Sequence, residues 1–135
     1  NLLVYRDFAH APSKLQATLS AVKEAMPHKR VIACFELHTF SSLNEQFLSQ
    51  YAHSMDTADE AIVYFSHHAL ALKGLPTLQP SEVQQCFALP ALSVLSQPTA
   101  LAQHIASLLA DTQQDTCLLL MSSGIFDGIA WQFGQ

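Results

Sequence analysis

Charge is scarce in this 135-residue chain: Asp, Glu, Lys and Arg make up 13% of it, against 50% hydrophobic residues. Disorder requires the opposite balance, so the composition describes a chain that buries a core, and its length suits a single domain. Basic residues are the scarcer sign, with Lys+Arg 6 against Asp+Glu 11, and they form no cluster. A nucleic-acid binder draws much of its affinity from neutralised phosphates, so that class of partner is excluded. Long hydrophobic runs are missing as well. Lys, Gln, His or Ser interrupts every apolar stretch, well short of the ~20 residues that a membrane helix needs, so no membrane partner is expected. The three cysteines, Cys34, Cys86 and Cys117, are odd in number, widely spaced and without a C-x-x-C pair. They read as reduced, buried thiols of a cytoplasmic protein rather than a disulfide framework. Only four glycines occur, and neither G-x-x-x-x-G-K-[ST] nor G-x-G-x-x-G is among the motifs present. Any nucleotide this chain touches therefore finds its phosphate cradle elsewhere. The chain opens on Asn1 and passes at once into the strand-like Leu2-Leu3-Val4-Tyr5, with no basic leader or signal peptide. We expect it to be one domain, residues 1–135, of a longer protein.

Short β-rich runs alternate with helical patterns. Val31 to Phe35, Ala61 to Phe65 and Cys117 to Met121 are continuous apolar runs, the pattern of strands buried on both faces; Leu2 to Tyr5 gives a fourth strand and Leu92 to Leu95 a weaker fifth. Leu15, Leu19, Val22 and Met26 form one helical stripe, and Leu43, Phe47, Leu48, Tyr51 and Met55 a second. Leu101, Ile105, Leu108 and Leu109 give a third, and Val83 with Phe87 a short fourth. The stretch from Ser66 to Pro80 holds two prolines and Gly74 and shows no period, so it reads as a loop. The expected fold is α/β, Rossmann-like, with a mostly parallel sheet of five or six strands and helices on both faces.

Ligands of such sheets sit beyond the carboxyl ends of the strands, which singles out three strand-to-helix turns. In the first, Asp7 and His10 precede Pro12. Asp can accept sugar hydroxyls, and a His at a helix N-terminus can donate to phosphate; the plain structural alternative is that Asp7 caps the helix and His10 fills the loop. In the second, period-2 alternation puts Cys34, Glu36 and His38 on one face. Cys34 lies too deep in its apolar run for a nucleophile, so Glu36 and His38 are read as polar groups facing a ligand crevice; alternatively the turn merely starts a helix, with Ser42 and Glu45 as a capping box. The third turn carries Ser122, Ser123, Gly124 and Gly128, at a spacing that favours a structural turn. Adjacent His67 and His68 on a loop lack the spacing of a closed metal site, so no metal is assigned to them; His28, His53 and His104 read as surface or helix-packed residues, and Trp131 and Phe133 as packing.

Val4-Tyr5-Arg6-Asp7-Phe8-Ala9-His10-Ala11-Pro12 resembles the opening of the C-terminal domain of the Mur ligases, which starts with D-[FY]-[AG]-H-x-P after a strand. Phe35 to Asn44 and Ala58 to Ala61 continue the likeness, and Leu120 to Ile129 is similar to the M-S-[NS]-G-x-F-x-G-I stretch of the murein peptide ligases within that family. The resemblance implies one domain of a three-domain enzyme. The missing N-terminal domain would bind the UDP sugar, and the missing central domain would carry the P-loop and hold most of the ATP and Mg2+. It further implies an ADP-forming ligase that joins the recycled tripeptide L-alanyl-γ-D-glutamyl-meso-diaminopimelate to UDP-N-acetylmuramate through an acyl phosphate, with the L-alanine ligase as the near neighbour. On that likeness, Asp7 meets the ATP ribose, His10 lies toward the phosphates and Phe8 lines the nucleotide side. Glu36, His38 and Ser41 face the incoming peptide, with Ser123 and Gly124 beside them. Glu36-Leu37-His38 departs from the E-P-R of many murein peptide ligases. A stand-alone Rossmann-like module that binds a small anion is the competing expectation.

Overall fold

The computed structural model describes residues 2–38, 43–110, 114–124 and 126–129. Ser41, the Ser42–Glu45 capping pair, Trp131 and Phe133 lie outside the described residues or side chains. Five strands form one sheet: β1 (Leu2–Asp7), β2 (Arg30–Leu37), β3 (Glu60–Phe65), β4 (Ser93–Leu95) and β5 (Thr116–Met121). All pair in parallel, in the order β1-β5-β2-β3-β4. Between them come α1 (Pro12–Ala25), the short α2 (Glu45–Leu48), α3 (His67–Leu72), α4 (Pro80–Phe87) and α5 (Pro98–Leu109). The Rossmann-like expectation is met.

The strand order explains why helices lie on both faces. From β1 to β4 the chain always steps in one direction, whereas β4 to β5 steps back across the sheet. Right-handed crossovers then require α5 to lie on the face opposite α1 and α4. The core obeys this. Val31, Ala33, Phe35, Val63, Phe65, Leu119 and Met121 pack with Leu15 and Leu19 of α1 and Val83 and Phe87 of α4. Ile32, Cys34, Ile62, Tyr64, Leu118 and Leu120 pack with Leu101 and Ile105 of α5. Burying each large side chain in these layers is worth about 1.5–3 kcal/mol, which is why the central strands read as unbroken apolar runs.

Three expectations are corrected. β1 is not buried on both faces: Leu3 is 39% and Tyr5 46% exposed. Among the described residues it is an edge strand paired only with β5, and an open groove of about 330 Å3, lined by Tyr5, Val22, Ala25 and Met26, separates it from α1. The long helix expected over Leu43 to Met55 is broken into α2, a 3-10 turn (Ser49–Tyr51) and further turns through Thr57, with His53 at φ 64°. Tyr51 stacks on Phe87, ring centroids 5.1 Å apart, and this packing overrides the helical period. The stretch from Ser66 to Pro80 is not all loop. It contains α3, whose first turn is capped by Ser66 Oγ accepting the Ala69 N–H at 3.1 Å, so His67 and His68 open a short helix as exposed residues.

Candidate functional site

Because β5 runs between β1 and β2, the carboxyl ends of these three strands lie side by side. The Ser122 N–H donates to the Asp7 carbonyl at 2.9 Å, carrying the β1–β5 ladder one residue past the strands. A cleft of about 270 Å3 opens there, lined by Arg6, Asp7, Phe8, Leu120, Ser122, Gly124 and Phe126. The first and third turns picked out in the sequence are thus walls of one cleft, and the second leaves the end of β2 beside them.

On the β1 side, Asp7 does not cap α1. Its Oδ1 accepts the Ala9 N–H at 2.9 Å and its Oδ2 faces the Thr18 hydroxyl at 3.4 Å, which fixes the carboxylate while leaving lone pairs for a ligand. The α1 N-cap is Ala11, without a side-chain bond, and Pro12 occupies the first turn, where its missing N–H does no harm. His10 is exposed, and its Nδ1 lies 3.0 Å from the Phe8 carbonyl. A carbonyl only accepts, so Nδ1 carries the proton. A neutral ring so held offers a lone pair at Nε2, and only the protonated ring would offer phosphate a second N–H. Phe8 projects with 79% of its surface exposed. The loop is anchored from beneath by Tyr51, whose hydroxyl donates to the His10 carbonyl. Burial pushes the Tyr51 phenol up to about 12, so it stays a donor.

At the end of β2, Cys34 is fully buried, and its thiol is pushed far up, first by burial and then by the neighbouring Glu36 charge. That removes it as a nucleophile, as its depth in the apolar run suggested. Glu36 is 2% exposed. Its Oε1 accepts the Ser122 hydroxyl at 2.6 Å and the Phe126 N–H at 2.8 Å, so this carboxylate is directed into the protein. His38 is partly exposed, with Nδ1 3.8 Å from Glu36 Oε2. Gly124 lies against the His38 ring, and its N–H donates to Ser122 Oγ at 2.7 Å. Ser123 is exposed. Asp7, Phe8 and Gly124 therefore share one cleft with Ser122, and His38 sits against its Gly124 wall. Ser122, Phe126, Thr18 and Tyr51 were not singled out as site residues. Ser122 stood in a recognised turn, but nothing local in the sequence links Tyr51 to His10.

Among the described residues, no three His, Cys, Asp or Glu side chains are grouped as a cation cage would need. No helix among the described residues is long and apolar enough to cross a membrane.

The chain is an α/β domain with a cleft at the carboxyl ends of parallel strands. The profile of the family "Mur ligase, glutamate ligase domain" matches residues 1–124. The chain belongs to that family. It is 47% identical over 60 residues to a UDP-N-acetylmuramate–L-alanine ligase of Caldanaerobacter subterraneus subsp. tengcongensis, a match covering 44% of this chain and 13% of that protein. It is similar in structure to a domain assigned to a UDP-N-acetylmuramate:L-alanyl-γ-D-glutamyl-meso-diaminopimelate ligase of Haemophilus ducreyi 35000HP, with TM-score 0.64 and 26% identity, covering 96% of this chain and 85% of that one. A murein peptide ligase of Psychrobacter arcticus 273-4 shares the fold at TM-score 0.66 and 24% identity, covering 95% of this chain and 26% of that one. The chain thus spans about a quarter of the length of that solved ligase.

Proposed function

We propose that this chain is the C-terminal domain of a three-domain, cytoplasmic, ATP-dependent ligase that joins a recycled murein tripeptide to UDP-N-acetylmuramate. The reading rests on one observation: the two stretches that carry the Mur ligase resemblance, Asp7 to Pro12 and Ser122 to Gly128, meet at one cleft although they lie at opposite ends of the chain. In the proposed reaction ATP phosphorylates the muramoyl lactate carboxylate. The peptide amine then attacks the acyl phosphate, forming the amide and releasing phosphate. Phosphoryl transfer depends mostly on positioning and charge stabilisation, so a domain that closes over the nucleotide and excludes water contributes without holding the P-loop.

In this reading Asp7, fixed by the Ala9 N–H, directs its free lone pairs at the ATP ribose. Phe8 offers an exposed ring to the nucleotide, and His10 stands on the phosphate side of the loop. His38, Ser123 and Gly124 face the incoming peptide; Glu36 serves that side from within. A second reading, ligation of free L-alanine, is favoured by the 47% identity over 60 residues to an L-alanine ligase. The test is a phosphate-release assay on the longer enzyme with ATP, magnesium and UDP-N-acetylmuramate, offering tripeptide or L-alanine. Release with the tripeptide alone supports the first reading, and release with L-alanine alone supports the second. Asp7→Ala should then raise the KM for ATP about tenfold or more by removing a charged acceptor. No release with either amine overturns both.

A further inference from the structure

We infer that Glu36 is a positioning residue that preforms the wall of the cleft on the amine-substrate side, by clamping the loop after β5 to the end of β2. The inference rests on the ligase reading for what the wall receives, but the clamp itself stands on geometry. Glu36 lies on the sheet face of Ile32, Cys34, Ile62, Tyr64, Leu118 and Leu120, an apolar layer, and pairs in register with the buried Tyr64. A carboxylate placed there is unfavourable unless its oxygens are hydrogen-bonded. Both bonds that satisfy Oε1 come from one place, the Ser122 hydroxyl and the Phe126 N–H of the loop after β5. A hydrophobic residue would pack this layer as well, but it would leave the loop without its acceptor.

The bonds propagate into the cleft. Donation to Glu36 sets the Ser122 hydroxyl so that Oγ accepts the Gly124 N–H. Gly124 so held lies against the His38 ring, whose Nδ1 is 3.8 Å from the other Glu36 oxygen. Hydrogen bonds thus join Glu36 to Ser122 and Phe126 and Ser122 to Gly124, with His38 packed against them, and Ser122, Gly124 and Phe126 line the cleft. Glu36 is only 2% exposed, so it acts through these residues and through His38 rather than on a ligand. With these bonds intact, the exposed Ser123 and the free edge of His38 are presented before any substrate arrives, which is preorganisation by a buried polar group.

Two measurements test this. The first is amide hydrogen exchange on the 135-residue chain. Glu36→Leu should speed exchange at Phe126 and Gly124 at least about tenfold while leaving sheet amides such as Leu118 and Ile62 unchanged. Glu36→Gln, which keeps an acceptor oxygen, should preserve most of the protection. Ser122→Ala should free Gly124 more than Phe126. Uniform acceleration across the sheet, or no change at Phe126 and Gly124, would overturn the clamp. The second is kinetics in the longer ligase: Glu36→Leu should raise the KM for the amine substrate about tenfold with kcat within about threefold, and Glu36→Gln should restore most of it. An equal fall for ATP and amine with no rescue by Gln would overturn the assigned role. If the unsubstituted enzyme turns over no amine at all, the ligase reading fails by itself, and the exchange pattern still decides the clamp.

Discussion

Gly124 sits so close to His38 that a Cβ built on it would come 2.7 Å from the imidazole Cγ and Cδ2. These atoms are at the root of the ring, so a side chain at position 124 displaces the imidazole as a whole. Gly124→Ala should cost about 1–2 kcal/mol and move the His38 ring resonances. In a His38→Ala background the same substitution should cost at least about 0.5 kcal/mol less, because the obstacle is gone. Additive losses in a double-mutant cycle read by urea denaturation would show that Gly124 is constrained by something other than His38.

Tyr51→Phe keeps the ring against Phe87 and removes only the hydroxyl that donates to the His10 carbonyl. We expect a loss of about 1 kcal/mol, with faster exchange confined to the loop between β1 and α1. Faster exchange throughout the α1 face would instead mean that the hydroxyl supports the core.

Asp59 links the amino-terminal ends of β2 and β3 at the side of the sheet away from the cleft. Its Oδ2 accepts from the Val31 N–H at 2.7 Å and from Lys23 Nζ at 2.8 Å. Burial pushes its carboxyl up, but these bonds and the charges of Lys23 and Arg30 outweigh it and hold the carboxyl below its ordinary 3.8. A depressed carboxyl stabilises the fold fully above that ordinary value and loses the contribution as pH falls through the folded one. Asp59→Asn should therefore lower stability by about 1 kcal/mol at neutral pH, a small figure because the side chain is 40% exposed. The two proteins should converge as pH falls from that ordinary value through the lower folded one, and a gap that persists in strong acid would refute the linkage.

Cys34 and Cys117 are fully buried, and burial raises both thiols, with Lys29 partly offsetting the effect at Cys117. Cys86 is half-buried on α4. A maleimide at neutral pH should add once, at Cys86, to the native chain and three times after unfolding, counted by mass. Cys34→Ala should leave ligase turnover intact; its loss would reopen the thiol as a reacting group.

The central strands were readable because Val31 to Phe35, Ala61 to Phe65 and Cys117 to Met121 are buried on both faces, and such burial leaves no polar alternation to misread. Leu3 and Tyr5 misled because an edge strand can carry the same residues half in water. The stripe from Leu43 to Met55 misled because Tyr51 settles on Phe87, a contact that no period encodes. α3 was legible in principle, since Ser66 before a run of helix formers is a cap signal, but Gly74 and the prolines obscured it. At the site, the motifs drew attention to Asp7 and Gly124, which the structure brings to one cleft. The burial of Glu36, read in the sequence as facing a crevice, was not legible, because its partners Ser122 and Phe126 lie 86 and 90 positions away, beyond any local pattern.

The placement of β5 governs how the molecule comes into being. Leu2 pairs with Thr116, and Thr116 with Arg30, so the strand that joins β1 to β2 comes long after both in the chain. Until it inserts, β1 has no neighbour and the cleft has no floor. Such long-range closure slows folding, because the ends must meet before the contacts reward them. Before Thr116 is added, β2, β3 and β4 can pair with one another, but the edge of β2 that takes β5 stays bare. Loss of β5 would not leave a smaller working domain. It would divide the sheet in two, with β1 on one side and β2, β3 and β4 on the other.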